Sequence, residues 1–126
     1  MCGRYNVTSD PLADLFLDVV GVPFVGEDRW NLAPTEFAPV FVRSDFGLEV
    51  REMQWWLIPY WSKEPKTRYA MFNARAENIE RSNAFKGSFE RRRCVVPASG
   101  FYEWVREGSR KQPMYMRAQS GGLMFA

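Results

Sequence analysis

The chain has 126 residues, with 17 Lys and Arg against 15 Asp and Glu, two Cys and no His. That length corresponds to one domain spanning residues 1–126, and the 46% hydrophobic and 25% charged shares are those of a globular chain, which excludes disorder. Having no His excludes the Ser-His-Asp and Cys-His arrangements and the commonest zinc-ligand sets, so any chemistry runs on Cys, carboxylates, amides, Lys and Arg, or the chain terminus.

In chain order, Ser9-Asp10-Pro11 predicts a helix start, with a capping side chain and Pro in the first turn. Leu12, Leu15, Phe16 and Val19 follow at helical spacing, and Gly21 with Pro23 ends the element. Phe37 to Arg43 is apolar and β-prone. Ser44-Asp45-Phe46-Gly47 turns the chain, and Leu48, Val50 and Glu52 alternate as in the second strand of a hairpin. The run from Trp55 to Trp61 is too aromatic to be solvated throughout; it reads mostly as core, with a stacking platform for unpaired bases as the other reading. Ala74 to Phe89 has helical stretches expected to break near Gly87. Cys94-Val95-Val96-Pro97 reads as a buried strand and Gly100 to Val105 as another, with Glu107 to Lys111 as a hairpin turn into Met114-Tyr115-Met116. The sum is a β-rich α+β domain with one or two helices. The closing residues, Gly121 to Ala126, read as a turn and the start of an apolar strand, as expected of a fragment or a shortened chain.

A formal charge of +2 does not by itself advertise nucleic-acid binding, but its distribution is uneven. Arg91, Arg92 and Arg93 are consecutive and Arg106, Arg110 and Lys111 follow, whereas residues 10–36 are acidic with Arg29 alone in opposition. No segment approaches the roughly 18 apolar residues of a membrane span, and no basic-then-apolar leader opens the chain. A cytoplasmic location is therefore expected, with no membrane partner and with Cys2 and Cys94 as free thiols. Without a glycine-rich phosphate loop, a CxxC pair or a carboxylate cluster, neither a cofactor nor a metal is expected.

Three places can carry chemistry. Met1 precedes a small residue, so its removal would leave Cys2 at the amino terminus as a 1,2-aminothiol. With an amine pKa of about 8 and a thiol pKa of about 8.5, both nucleophilic forms coexist near neutrality. Such a group condenses with an aldehyde, first as an imine and then as a five-membered thiazolidine; it can equally serve as an N-terminal hydrolase nucleophile. The plain alternative is a small residue after an initiator Met. Asn73 and Arg75, two apart, suit a sugar or a phosphate, or else Asn73 caps a helix. Glu103, among Phe101, Tyr102 and Trp104, is a usable general acid if it points inward and an ordinary strand residue if it does not.

Taken in order, Met1-Cys2-Gly3-Arg4-Tyr5, Trp30-Asn31-Leu32-Ala33-Pro34-Thr35, Trp55-Trp56-Leu57-Ile58-Pro59, Asn73-Ala74-Arg75-Ala76-Glu77 and the run from Cys94 to Trp104 resemble the SRAP family, the SOS-response-associated peptidases. The resemblance implies a β-rich fold with a barrel-like sheet and an abasic-site sensor that links covalently to single-stranded DNA, at the nucleoid when bound. It also implies an autopeptidase or lyase activity at the same Cys. By carry-over Cys2 is the nucleophile, Asn73 holds the amine and sugar, and Glu103 is the acid/base. Arg4, Arg75 and Trp104 then lie against DNA phosphates and bases, with Asn31 and Pro34 near the site. One departure stands out: the family uses a His in its C-terminal part, and SRAP domains run beyond this length. A hydrolase acting on peptides and a non-catalytic single-strand binder are the competing readings.

Overall fold

In a computed structural model the chain is described over residues 2–65, 69–119 and 122–125, the last three by backbone only. Strand β1 (Arg4–Val7) is followed by helix α1 (Ser9–Val20), and then by β2 (Arg29–Leu32), β3 (Phe37–Ser44) and β4 (Gly47–Gln54). A 3-10 turn (Ala76–Asn78) and helix α2 (Lys86–Arg91) lead to β5 (Val96–Ala98), β6 (Gly100–Glu107), β7 (Arg110–Met116) and β8 (Leu123–Phe125). The strands form a four-stranded sheet in the order β2-β1-β6-β7 and two pairs, β3-β4 and β5-β8. All strand pairings among the described residues are antiparallel. The fold is α+β, as the sequence predicts, but no closed barrel forms among the described residues.

β1 is the spine. Its Tyr5 pairs with Leu32 on one side and with Phe101 on the other, which places a residue from near the amino terminus between segments far away in sequence. Tyr5, Val7 and Leu32 are buried with Leu12 and Phe16 of α1 and with Ala38 and Phe41 of β3. Phe16 meets Phe41 edge-on at 4.8 Å and Phe24 at 5.0 Å, the geometry aromatic quadrupoles prefer. A single bridge, Phe41 to Val95, ties the β3-β4 hairpin to the segment that enters β5.

α1 buries Leu12 and Phe16 at the predicted spacing and ends on Gly21, whose φ of 71° is the left-handed cap that glycine allows. Its start differs from expectation. Asp10 and Pro11 lie outside helical φ/ψ and no side chain caps the N-terminus; instead the Ser9 amide and hydroxyl both donate to Asp28 Oδ1 at 2.7 Å. Gly87 lies inside α2 rather than breaking a helix, and the interruption falls earlier, in turns between Asn78 and Phe85. β3 and β4 pair in full register from Phe37-Gln54 to Ser44-Gly47, around the turn the sequence marks. Gly108, with φ of 61°, turns β6 into β7.

Candidate functional site

The segment after β4 carries the site's scaffold. Trp55 packs edge-on against buried Tyr5 at 5.0 Å and donates its indole N–H to the Phe72 carbonyl at 3.1 Å. The Leu57 amide donates to the Met71 carbonyl at 2.9 Å. These contacts hold Met71 and Phe72 against β1, and the next residue, Asn73, then reaches the chain start: its Nδ2 donates to the Cys2 carbonyl at 2.8 Å. The helix-cap reading of Asn73 is thereby overturned, since the cap position of the 3-10 turn belongs to Arg75.

Cys2 is half-buried and packs against the core, and its thiol donates to the Arg4 carbonyl at 3.3 Å. Burial is the main influence pushing that thiol up; the Arg4 carbonyl contact opposes it, and the negative charge of Glu103 pushes it up again. Glu103, half-buried on β6, therefore acts electrostatically on Cys2 although 101 residues separate them in the chain. The antiparallel register of β1 with β6, Arg4 opposite Tyr102, brings the two segments side by side. Cys94, the second free thiol, is raised by burial alone.

Beside Cys2 opens a cavity of about 320 Å³ lined by Gly3, Ala70, Phe72, Asn73 and Trp104. Trp104 keeps 42% of its surface exposed there. Arg4 extends across the sheet and donates from Nη1 to Asn31 Oδ1 at 2.9 Å. Pro34 lies in the turn after β2. That turn is fixed by Glu36, which accepts from the Ala33 amide at 2.6 Å and from Arg29 at 2.7 Å, and by Thr35, whose amide donates to the Trp55 carbonyl at 3.1 Å. Arg75 is exposed on extended backbone two residues beyond Asn73.

The structure thus joins Cys2 to Asn73 by a hydrogen bond and to Glu103 electrostatically, sets Asn73 and Trp104 in the wall of one cavity, and joins Arg4 to Asn31 on the sheet. Among the predicted core aromatics, Tyr60 and Trp61 are 78% and 57% exposed, so the core reading holds only for the start of that run. Sequence reasoning missed Phe72 and Gly3 as cavity walls and Glu36 as the anchor of the Pro34 turn; short polar contacts of that kind leave no periodic signal. A second cleft, about 380 Å³ between Phe16, Phe24 and Val50, contains none of the predicted site residues. No group of His, Cys, Asp and Glu able to hold a metal occurs among the described residues, and no described helix is long and apolar enough to cross a membrane.

These features define a class of protein: an α+β fold in which a cysteine just ahead of the first strand meets an amide from a distant loop and the charge of a carboxylate on β6, beside a cleft. The profile of the SOS response associated peptidases (SRAP) matches residues 1–126, and the chain belongs to that family. It is 35% identical over 127 residues to the abasic site processing protein YoaM of Bacillus subtilis, covering 98% of this chain and 56% of that protein. The abasic site processing protein HMCES of Xenopus tropicalis is 46% identical over 68 residues, 51% of this chain and 20% of its own. A phage-related protein of Bordetella bronchiseptica shares the fold with a TM-score of 0.74 and 26% identity, over 98% of this chain and 58% of its own. A protein from Bacteroides thetaiotaomicron superposes with a TM-score of 0.76 at 24% identity, again over 98% of this chain and 57% of its own. The chain spans a little over half the length of the YoaM-like relatives it matches.

Proposed function

We infer that this protein captures abasic sites in single-stranded DNA by forming a thiazolidine through Cys2, as part of a DNA-damage response in the cytoplasm at the nucleoid. The observation that carries the reading is the placement of Cys2: its carbonyl is held by Asn73, its thiol feels Glu103, and a cavity opens beside it. The names of the relatives, abasic site processing proteins, point the same way.

The chemistry follows from the groups present. Removal of Met1 frees the Cys2 amine. An abasic deoxyribose opens to its aldehyde form, with Glu103 as the acid/base that moves the proton between ring oxygen and solvent. The amine nitrogen adds to the aldehyde carbon and a water leaves, giving an imine. The Cys2 thiolate then adds to that same carbon, its electron pair forming the C–S bond while the imine nitrogen takes up a proton. The product is a secondary amine in a five-membered ring, with one water lost overall and no oxidant needed. Asn73 fixes the first residue so that amine and thiol converge on one carbon, an advantage of orientation. Arg4 and Arg75 hold the DNA backbone, Trp104 offers an aromatic face to a base, and Asn31 and Pro34 border the path.

The test is a denaturing gel of the Met1-processed protein with single-stranded DNA carrying one abasic site. A shifted band is expected with the wild type and none with Cys2→Ala or with an undamaged strand, while Cys2→Ala still binds the strand before denaturation. A band that persists in Cys2→Ala sinks the assignment. Turnover of a peptide through a transient thioester, with no band on DNA, would replace it with a hydrolase reading.

A further inference from the structure

The hairpin of β6 and β7 carries a second feature beyond Trp104. Across it Tyr102 faces Tyr115, Trp104 faces Pro113 and Arg106 faces Lys111. Side chains alternate between the faces of a sheet, so these six share one face, and Arg4 joins them through its pairing with Tyr102. Glu103 and Glu107, at alternate positions of β6, belong to the opposite face. The shared face is therefore aromatic and cationic, without a carboxylate among its seven members.

Arg106 and Lys111 are both exposed and enter no ion pair among the described residues. Like charges directly opposite each other on a sheet are destabilising unless an anion lies between them. Tyr102 and Tyr115 stand with ring centroids 5.1 Å apart and planes tilted by 40°, and Tyr115 is 43% exposed. Arg106 lies two residues, about 7 Å, beyond Trp104 along the strand. Charge and shape together favour one occupant: a single nucleic-acid strand, whose phosphate bridges two cations and whose unpaired bases take up the aromatic surface.

We propose that the face formed by Tyr102, Tyr115, Trp104, Arg106 and Lys111 is a track for the DNA strand flanking the lesion, with Arg106 and Lys111 sharing one phosphate. The proposal rests on the abasic-site reading and extends it from a point of reaction to a length of strand. It makes capture faster on a strand that continues past the lesion than on one that stops there. The advantage is expected on one polarity only, because the track leaves the cavity in one direction.

The experiment compares linkage rates on three oligonucleotides: a short one ending one nucleotide either side of the abasic site, and two extended by several nucleotides on the 5′ or the 3′ side alone. The wild type should link one of the extended strands several-fold faster than the short one. In the double variant Arg106→Gln, Lys111→Gln that ratio should fall to about one. Its binding of an undamaged extended strand should lose about 2.6-fold less affinity than the wild type between 50 and 200 mM salt, the change expected for one phosphate contact on a single strand. Arg106→Lys should retain most of the advantage, and thermal unfolding confirms that each variant is folded. If the wild type links DNA and the double variant keeps the full ratio and salt slope, the track is overturned while the capture reading stands. Failure of the wild type to link any of the strands overturns both. If oligoglutamate of equal charge displaces the extended strand as well as a second DNA strand does, the face belongs to acidic peptides and the proposal fails.

Discussion

At Cys2, burial and the Glu103 charge both favour the protonated thiol, while the proposed capture chemistry needs the thiolate. The resting state is therefore the neutral thiol, donating to the Arg4 carbonyl. Its thiolate population grows only as pH rises through a value above the ordinary cysteine range. Neutralising Glu103 removes one of the raising influences, so Glu103→Gln should move the alkylation profile of Cys2 to lower pH. Site-resolved mass spectrometry after brief iodoacetamide pulses would measure this, with Cys94, raised by burial alone, as a control expected to stay in place. The same variant should be slower in capture at pH 7 although its thiol is more reactive, because the proton shuttle is gone. Faster alkylation with slower capture separates an acid/base role from a purely electrostatic one. An unmoved Cys2 profile would mean that the carboxylate does not act on the thiol.

At the scale of elements, two glycines show different constraints. Gly21 occupies a left-handed cap with open space around it, so Gly21→Ala should cost only the backbone strain, about 1–2 kcal/mol. A Cβ at Gly100 would sit 2.5 Å from the Tyr115 hydroxyl and 2.6 Å from the Met116 carbonyl, at the start of β6 where it pairs with β1. Gly100→Ala should therefore cost about 1–3 kcal/mol or more, because a backbone atom blocks relief. Tyr115→Phe in the same chain should recover part of that loss, a non-additivity read from denaturant midpoints. Full additivity would place the clash elsewhere. Elements of this kind were unequally legible. The β3-β4 and β6-β7 hairpins could be read because alternation and a turn residue coincide, and α1 because its apolar stripe repeats at helical spacing. β2 was missed because Arg29-Trp30-Asn31-Leu32 is exposed at two of its four positions, and its pairing with β1 shifts register midway. Gly87 was misplaced because a glycine in a short exposed helix costs only about 1 kcal/mol, which neighbouring turns absorb. The candidate residues of the site were legible as ordered motifs. Its geometry was not, because Cys2, Asn73 and Glu103 meet only through the Tyr5-Trp55-Phe72 contacts and the β1-β6 register.

For the molecule as a whole, the near-neutral charge conceals a separation of roles. On the proposed reading, attraction to DNA comes from a few cations on one sheet face and its border, whereas permanence comes from one covalent bond. Arg4, Arg75, Arg106 and Lys111 are the cations proposed to meet phosphates. With Arg106 and Lys111 sharing one phosphate, three phosphate contacts on a single strand predict a slope of about −2.1 in log affinity against log salt, or roughly an 18-fold loss between 50 and 200 mM. Cys2→Ala should show that same slope, since the thiol carries none of the electrostatic attraction. Cross-linked product, once formed by the wild type, should be indifferent to salt and survive denaturation. The initial rate of its formation should nevertheless fall with salt in parallel with the reversible affinity, provided the strand is below saturation. Equilibrium binding of Cys2→Ala and single-turnover linkage by the wild type, measured across the same salt series, test this directly. A slope shallower than about −1 would mean that these cations do not track the backbone, and that the strand is held by stacking on the aromatic face instead.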